Sequence, residues 1–167
     1  MWGVALSGPA SAQGDPRSEA WLARHNEARA EFGVLPLRWS DRLASEAQIW
    51  ASILARGGVM RHSSLEERGD TGENLWMGTA GYYTPQQMIS HFIDEKQHFK
   101  TGRFPDVSTT GNWGDVGHYT QVIWPATKEV GCATALGGNY DYLVCRYYPA
   151  GNVMGRRIWP GRLAQTH

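Results

Sequence analysis

The chain has 167 residues, and its 16 lysines and arginines balance its 16 aspartates and glutamates. This length is typical of a single domain that buries enough surface to fold without a metal or a disulfide framework. The balanced charge argues against a general electrostatic attraction to nucleic acid or to anionic membranes, and no segment approaches the roughly 20 apolar residues of a membrane span.

The first 14 residues resemble the end of a secretory signal. A short apolar piece, Trp2 to Leu6, precedes the small-residue pattern Ala10-Ser11-Ala12, which is typical of a signal-peptidase site. The basic segment of a signal is missing, so an ordinary disordered N-terminus is the alternative for residues 1–14. We expect one folded domain over residues 15–158 and a C-terminal tail over residues 159–167.

Three helices are predicted in the first hundred residues. The first begins at Asp15-Pro16, continues with apolar residues at helical spacing, and ends at Gly33. Ser40 caps the second helix, which Gly57-Gly58 closes. The third begins at Thr84-Pro85-Gln86-Gln87, which supplies a cap, a first-turn proline and a capping-box glutamine.

A carboxylate interrupts the apolar stripe of the third helix. This stripe runs Met88, Phe92, Glu95 and Phe99, so Glu95 occupies an inward-facing position. A buried carboxylate is costly unless a cation, a proton or hydrogen bonds offset its charge. Glu95 is therefore a candidate for a functional site.

The second half of the chain predicts strands. Residues 100–117 are rich in Gly, Thr, Asp and Pro and predict a long loop, a type that is often functional. Tyr119 to Trp124 is rich in aromatic and β-branched residues and predicts a buried strand that follows His118. Gly131 to Ala135 and Tyr140 to Tyr147 predict a hairpin. Helices followed by strands indicate an α+β fold with an antiparallel sheet.

The predicted hairpin brings the two cysteines opposite each other. A two-residue turn at Gly138-Asn139 pairs residue 137 with residue 140, so Cys132 falls opposite Cys145. Opposed Cβ atoms lie about 4.5–5.5 Å apart, which is close to disulfide geometry. A disulfide would suit an oxidising compartment and supports secretion. Two reduced thiols in the core are the alternative.

Four ionisable residues stand in unusual surroundings. His118 precedes the predicted strand, Glu95 faces inward, Glu73 lies between a glycine and an apolar pair in TGENLW, and His62 follows the second helix. Two histidines and two glutamates can hydrogen-bond to one another, or the imidazoles can coordinate a divalent ion while the carboxylates orient the rings. Taken singly, a solvated Glu73 and a structural His62 are the simpler explanations.

Four further stretches of the sequence form signatures: HNEAR with GVLPLRW (25–39), GENLW (72–76), GHYTQVIW with GCA (117–133) and YLVCRYYPAGNVMG (142–155). They resemble the signatures of the CAP superfamily, which includes cysteine-rich secretory proteins, insect venom antigen 5 and plant class 1 pathogenesis-related proteins. The resemblance, which covers residues 18–155, implies an α-β-α sandwich: a central antiparallel sheet with helices on both sides. A chain limited to one disulfide favours a bacterial single-domain member over a vertebrate one.

The resemblance also implies a cleft whose residues here are His62, Glu73, Glu95 and His118. Asp94 competes with Glu95 because Phe92 replaces the usual tryptophan of that segment, but the helical stripe favours Glu95. We expect the two histidines to bind one divalent ion, zinc before others, while the two glutamates orient the rings. Other residues expected in the ligand cleft are Asn74, Tyr119 and Gln121; for Gln121, burial on the other layer is the alternative. His25 is expected outside this set, in a structural hydrogen bond.

Three functions remain open at this stage. The favoured one is a secreted binding module that takes a divalent ion and a lipid, sterol or peptide ligand. The second is a hydrolase that uses a metal-bound water, with Glu73 or Glu95 as base, or a Ser/His/Glu arrangement with Ser63 or Ser64. The third is a non-catalytic scaffold that acts through surface loops such as 100–117. We expect a monomer, extracellular or periplasmic, without a nucleic-acid partner.

Overall fold

A four-stranded sheet lies between two layers of helices. The computed structural model describes residues 15–160, so the predicted signal remnant (1–14) and residues 161–167 of the predicted tail lie outside it. The helices are α1 (Pro16–Phe32), α2 (Asp41–Gly57), α3 (Leu65–Arg68), α4 (Pro85–Ile93) and α5 (Gly117–Val122). The strands are β1 (Arg38–Trp39), β2 (Gly72–Thr79), β3 (Gly102–Arg103), β4 (Glu129–Gly137), β5 (Tyr140–Tyr148) and β6 (Arg157–Ile158). Among residues 15–160, no helix is long and apolar enough to cross a membrane.

The central sheet has the strand order β1-β4-β5-β2. The pairs β4–β5 and β5–β2 are antiparallel, and β1 adds two residues in parallel beside β4. One face packs against α1, α4 and α5, and the other packs against α2. The α+β class and the α-β-α sandwich are therefore confirmed. A separate two-stranded ribbon is formed by β3 and β6.

The helix boundaries follow the capping residues in the sequence. Asp15 accepts a hydrogen bond from the backbone N–H of Arg17, and Ser40 and Thr84 cap α2 and α4 in the same way. Gly33 ends α1 in the left-handed region at φ 89°, a conformation that glycine adopts without strain. The predicted starts of these three helices are confirmed.

The predicted hairpin and its disulfide are also confirmed. Strands β4 and β5 turn at Gly138-Asn139 and pair Cys132 with Cys145, and the two sulfurs are bonded at 2.05 Å. Next to this pair, a Cβ on Gly131 would overlap the backbone of Ala44. Glycine at this position therefore lets the start of α2 pack closely against β4.

The strand predicted over Tyr119–Trp124 is wrong. Residues Gly117–Val122 form the short helix α5 instead. An apolar run of this length does not distinguish a strand from a buried helix, and a tertiary contact decides the outcome here. The carboxylate of Glu95 accepts the backbone N–H groups of His118 and Tyr119, which are unpaired donors at the helix start.

Candidate functional site

A cleft of about 550 Å³ opens where β2 begins and β5 ends. Its walls come from the segment between α2 and β2, the start of α5, and the turn that follows β5. Five of the residues expected from the sequence line this cleft: His62, Glu73, Asn74, His118 and Gln121. The residues of the predicted site thus converge from positions far apart in the chain.

His118 is held by Glu95. The imidazole Nδ1 lies 2.6 Å from Glu95 Oε1, and Glu95 Oε2 accepts the N–H groups of His118 and Tyr119 at 2.9 and 3.0 Å. The ring stacks on Phe92, with centroids 5.1 Å apart. Glu95, not Asp94, is therefore the carboxylate beside His118. Glu95 does not lie on α4, which ends at Ile93, but on the short 3₁₀ helix Asp94–His98 that follows it.

His62 is held by Glu73 in a matching arrangement. Its Nδ1 lies 2.7 Å from Glu73 Oε1, which also accepts the backbone N–H of Ser63 at 3.0 Å, while Ser63 Oγ donates to Glu73 Oε2 at 2.7 Å. The Glu73 side chain is 0% exposed and that of His62 is 56% exposed. In both pairs the ring nitrogen Nε2 has no hydrogen-bond partner among the described residues.

Two arginines compensate the buried charge of Glu73. Arg146 Nη2 lies 3.2 Å from Glu73 Oε2, and Arg68 Nη1 lies 3.6 Å from Oε1. Burial raises the pKa of Glu73, but the hydrogen bonds from His62 and Ser63 and the charge of Arg146 outweigh it, so its pKa lies below the ordinary value. Glu73 is therefore ionised at neutral pH.

A buried chain of hydrogen bonds connects the cleft to His25. Asn74 Nδ2 donates to the carbonyl of His118 at 3.0 Å and to the Tyr147 hydroxyl at 3.2 Å, and that hydroxyl lies 2.8 Å from His25 Nε2. His25 Nδ1 bonds the carbonyl of Trp21 at 2.7 Å. Burial lowers the pKa of His25 to about 4, so the ring is neutral. The structural role predicted for His25 is confirmed.

Tyr119 and Gln121 differ in their relation to the cleft. The Tyr119 ring is not part of the cleft wall: it packs in the core against Phe99, and only its backbone N–H reaches Glu95. Gln121 lines the cleft, and its Oε1 accepts the N–H of Gly151. Gln121 therefore fixes the turn that follows β5.

Sequence reasoning missed three residues at this site. Arg68 and Arg146 face Glu73, and Asn152 closes the cleft with hydrogen bonds to Thr120 and Gly117. A charged residue within the apolar strand YLVCRYY was a visible signal for Arg146, of the same kind that singled out Glu95. Arg68 had no such signal, because it lies in a polar segment.

One group of three candidate metal ligands occurs among residues 15–160, and it does not fit a metal. The ligand atoms of His25, Cys132 and Cys145 lie within 4.8 Å of one another. However, the two sulfurs form a disulfide, and metals bind the free thiolate. Both ring nitrogens of His25 are also hydrogen-bonded. The Nε2 atoms of His62 and His118, by contrast, have no hydrogen-bond partner among the described residues.

An α-β-α sandwich whose cleft is lined by two histidines, each hydrogen-bonded to a glutamate, defines the class of protein that the sequence signatures implied. The family model described as "CAP: Cysteine-rich secretory protein family" matches residues 22–147. Pathogenesis-related protein 1A of Nicotiana tabacum is 40% identical over 136 residues, which cover 81% of this chain and 76% of that protein. Venom allergen 5 of Vespa velutina is 34% identical over 154 residues, covering 83% and 72% respectively.

Solved structures show the same fold. The structure described as "Crystal structure of NaASP2 with Zn2+" matches with a TM-score of 0.72 at 24% identity, covering 91% of this chain and 90% of that one. The chain belongs to the CAP, or cysteine-rich secretory protein, family. The relatives reported are plant and wasp proteins, so a bacterial source stays a prediction.

Proposed function

We propose that this protein is a secreted binding module whose cleft holds one divalent metal ion between His62 and His118. The observation that supports this most strongly is the matched geometry of the two histidines. Each imidazole is hydrogen-bonded to a glutamate through Nδ1, and its Nε2 has no hydrogen-bond partner among the described residues. Both histidines line the same cleft. A carboxylate behind the imidazole orients the ring and raises its basicity as a ligand.

Zinc is the first ion to test. Imidazole nitrogen suits zinc, and the glutamates Glu73 and Glu95 are committed to hydrogen bonds rather than free to coordinate. Two protein ligands are fewer than the three of ordinary catalytic zinc sites, so we expect weaker affinity, with water completing the coordination. NaASP2, a protein of the same fold, was crystallised with zinc.

The natural ligand of the cleft is proposed to be a peptide, with lipid and sterol as the other candidates. The cleft volume of about 550 Å³ falls in the range of small-ligand sites. Its wall combines charged and amide side chains such as Arg68, Asn74 and Asn152 with the indole of Trp113. A peptide can place polar backbone groups against this wall, whereas a sterol would cover its charged side chains with apolar surface.

The contacts do not favour a Ser/His/Glu hydrolase. The Ser63 hydroxyl donates to Glu73 rather than to a histidine, so no histidine is placed to activate it as a nucleophile. The oxygens of Glu73 and Glu95 already accept several donors each, which leaves little capacity to take a proton from water. Secretion is supported by the disulfide, which suits an oxidising compartment, and by the secretory description of the family.

Zinc titration by calorimetry tests the metal site. We expect about one ion per chain, with loss of the binding signal in His62→Ala/His118→Ala. His91→Ala is the matched control, because His91 is exposed on α4 and is not part of the cleft wall. The proposal is wrong if the double variant binds zinc like the unaltered protein, or if the control loses binding to the same degree.

A further inference from the structure

The β3–β6 ribbon places two arginines directly opposite each other. Arg103 on β3 pairs with Arg157 on β6, and both side chains are exposed. Like charges at directly opposed positions of an antiparallel pair are destabilising. Arg103 Nη1 donates to the carbonyl of Gly155 at 2.7 Å, which holds this guanidinium beside the turn that precedes β6. The arrangement concentrates positive charge on a surface of a chain whose net charge is zero.

No carboxylate offsets this charge within the described part of the chain. Some surface arginines have carboxylate partners: Arg38 pairs with Glu129 and Arg42 pairs with Glu46. Among residues 15–160, neither Arg103 nor Arg157 forms an ion pair, and the same holds for their exposed neighbour Arg156. The nearby Asp106 is engaged by Lys100. The cations are therefore available to an external anion.

Two large apolar side chains accompany the arginines. Ile158, which ends β6, is 0% exposed, whereas its two neighbours in the chain, Arg157 and Trp159, are both exposed. Trp159 is 60% exposed, and Met154, next to the Gly155 carbonyl that Arg103 bonds, is 64% exposed. We call the surface formed by Arg103, Arg157, Trp159 and Met154 the Arg–Trp face.

We propose that the Arg–Trp face docks the protein on an anionic phospholipid surface. Arginines attract the headgroup phosphates, and an indole beside them is suited to the boundary between headgroups and acyl chains. A sulfated polysaccharide would satisfy the arginines but leave Trp159 and Met154 in water. Lipid is the occupant that accounts for both halves of the face.

The Arg–Trp face is connected to the cleft through one aromatic contact. Phe104, which follows Arg103, packs edge-on against Trp113 with ring centroids 5.2 Å apart, and Trp113 lines the cleft. Docking would therefore hold the cleft at a fixed orientation near the membrane. This inference does not depend on the metal site, because neither histidine belongs to the face.

Co-sedimentation of the full chain with phosphatidylcholine vesicles, with and without phosphatidylglycerol, tests the proposal. We expect binding only to the anionic vesicles. Arg157→Gln should weaken it about fivefold, and Arg103→Gln/Arg157→Gln about 25-fold, since each basic residue near an anionic membrane contributes about that factor. Trp159→Ser should remove the part of the binding that persists at high salt.

Matched controls separate the face from overall charge. Arg38→Gln/Arg56→Gln removes the same two charges from other elements, and Tyr82→Ser removes an exposed aromatic from another loop; we expect both to bind like the unaltered protein. The Arg157 side chain has no hydrogen bond to the described residues, so we expect the thermal midpoint of Arg157→Gln to equal that of the unaltered protein. The proposal is overturned if vesicles are not bound, if the controls lose as much binding as the face variants, or if heparin is bound and vesicles are not.

Discussion

Glu73→Gln is the substitution that tests the charge balance of the cleft most severely. The Glu73 side chain is 0% exposed, and it accepts hydrogen bonds from His62 and from the amide and hydroxyl of Ser63. Glutamine keeps the shape but removes the charge. It also places an NH2 group against donors, so at least one buried hydrogen bond is lost.

The expected loss of stability follows from the buried arginine that Glu73→Gln would leave without its counter-charge. Arg146 is 3% exposed, and its Nε and Nη1 have no hydrogen-bond partner among the described residues, so Glu73 is its main counter-charge. Breaking a buried pair by removing one partner costs about 3–5 kcal/mol, and we expect the free energy of unfolding to fall by that amount. Glu95→Gln should cost less, about 1–3 kcal/mol, because Glu95 is 20% exposed and has no arginine partner.

Urea denaturation at neutral pH, with a chelator present, measures these differences without metal. The double variant Glu73→Gln/Arg146→Met is the matched test, because removing both charges of a buried pair recovers much of the loss. The reasoning is refuted if Glu73→Gln changes stability by less than about 1 kcal/mol, or if the double variant is no more stable than Glu73→Gln alone.

Three further predictions concern the core around this site. His25 stays neutral in the folded protein until about pH 4, whereas the unfolded chain protonates this residue near pH 6.5. The free energy of unfolding should therefore fall by about 3 kcal/mol as the pH decreases through that window. Urea denaturation at a series of pH values should show a flatter pH dependence of stability in His25→Gln, and equal slopes would contradict this. Replacing Cys132 and Cys145 by alanine should cost about 3 kcal/mol, since the bridge spans 13 residues; an unchanged urea midpoint would contradict it. Gly131→Ala should lower the free energy of unfolding by about 1–3 kcal/mol, because the added Cβ meets the α2 backbone. The control Gly57→Ala adds a Cβ in open space and should leave stability unchanged or raise it. Equal thermal midpoints of the two variants would refute the packing argument.

Local signals in the sequence account for much of the fold. Capping residues such as Ser40 and Thr84 act within one helical turn, so the starts of α2 and α4 could be predicted without tertiary information. The register of the β4–β5 hairpin followed from its two-residue turn, which places Cys132 opposite Cys145. Features decided by neighbouring residues in the chain are those that sequence reasoning located correctly.

Helix α5 and the partner of Arg146 could not be predicted in this way. The residues from Tyr119 to Trp124 have strand preferences, but the Glu95 carboxylate, brought from a distant segment, binds the N–H groups that open a helix. Likewise, Arg146 reaches Glu73 because β5 pairs with β2 in the register that sets these two residues opposite each other. Contacts between distant segments outweighed local preference at these positions.

The convergence of the four cleft residues was expected from the family resemblance rather than from residue types. Spacing alone left Glu73 as a solvated carboxylate and His62 as a structural histidine. In the structure, His62 Nδ1 lies 2.7 Å from Glu73 Oε1, and His118 Nδ1 lies 2.6 Å from Glu95 Oε1. What the cleft binds stays a proposal.

The anomalous scattering of zinc in a crystal of the metal-loaded protein would locate the bound ion. We expect one zinc peak about 2.0–2.1 Å from Nε2 of both His62 and His118, while each Nδ1 keeps its hydrogen bond to Glu73 or Glu95. A peak ligated by only one of these histidines, a peak elsewhere, or no peak at saturating zinc would contradict this expectation.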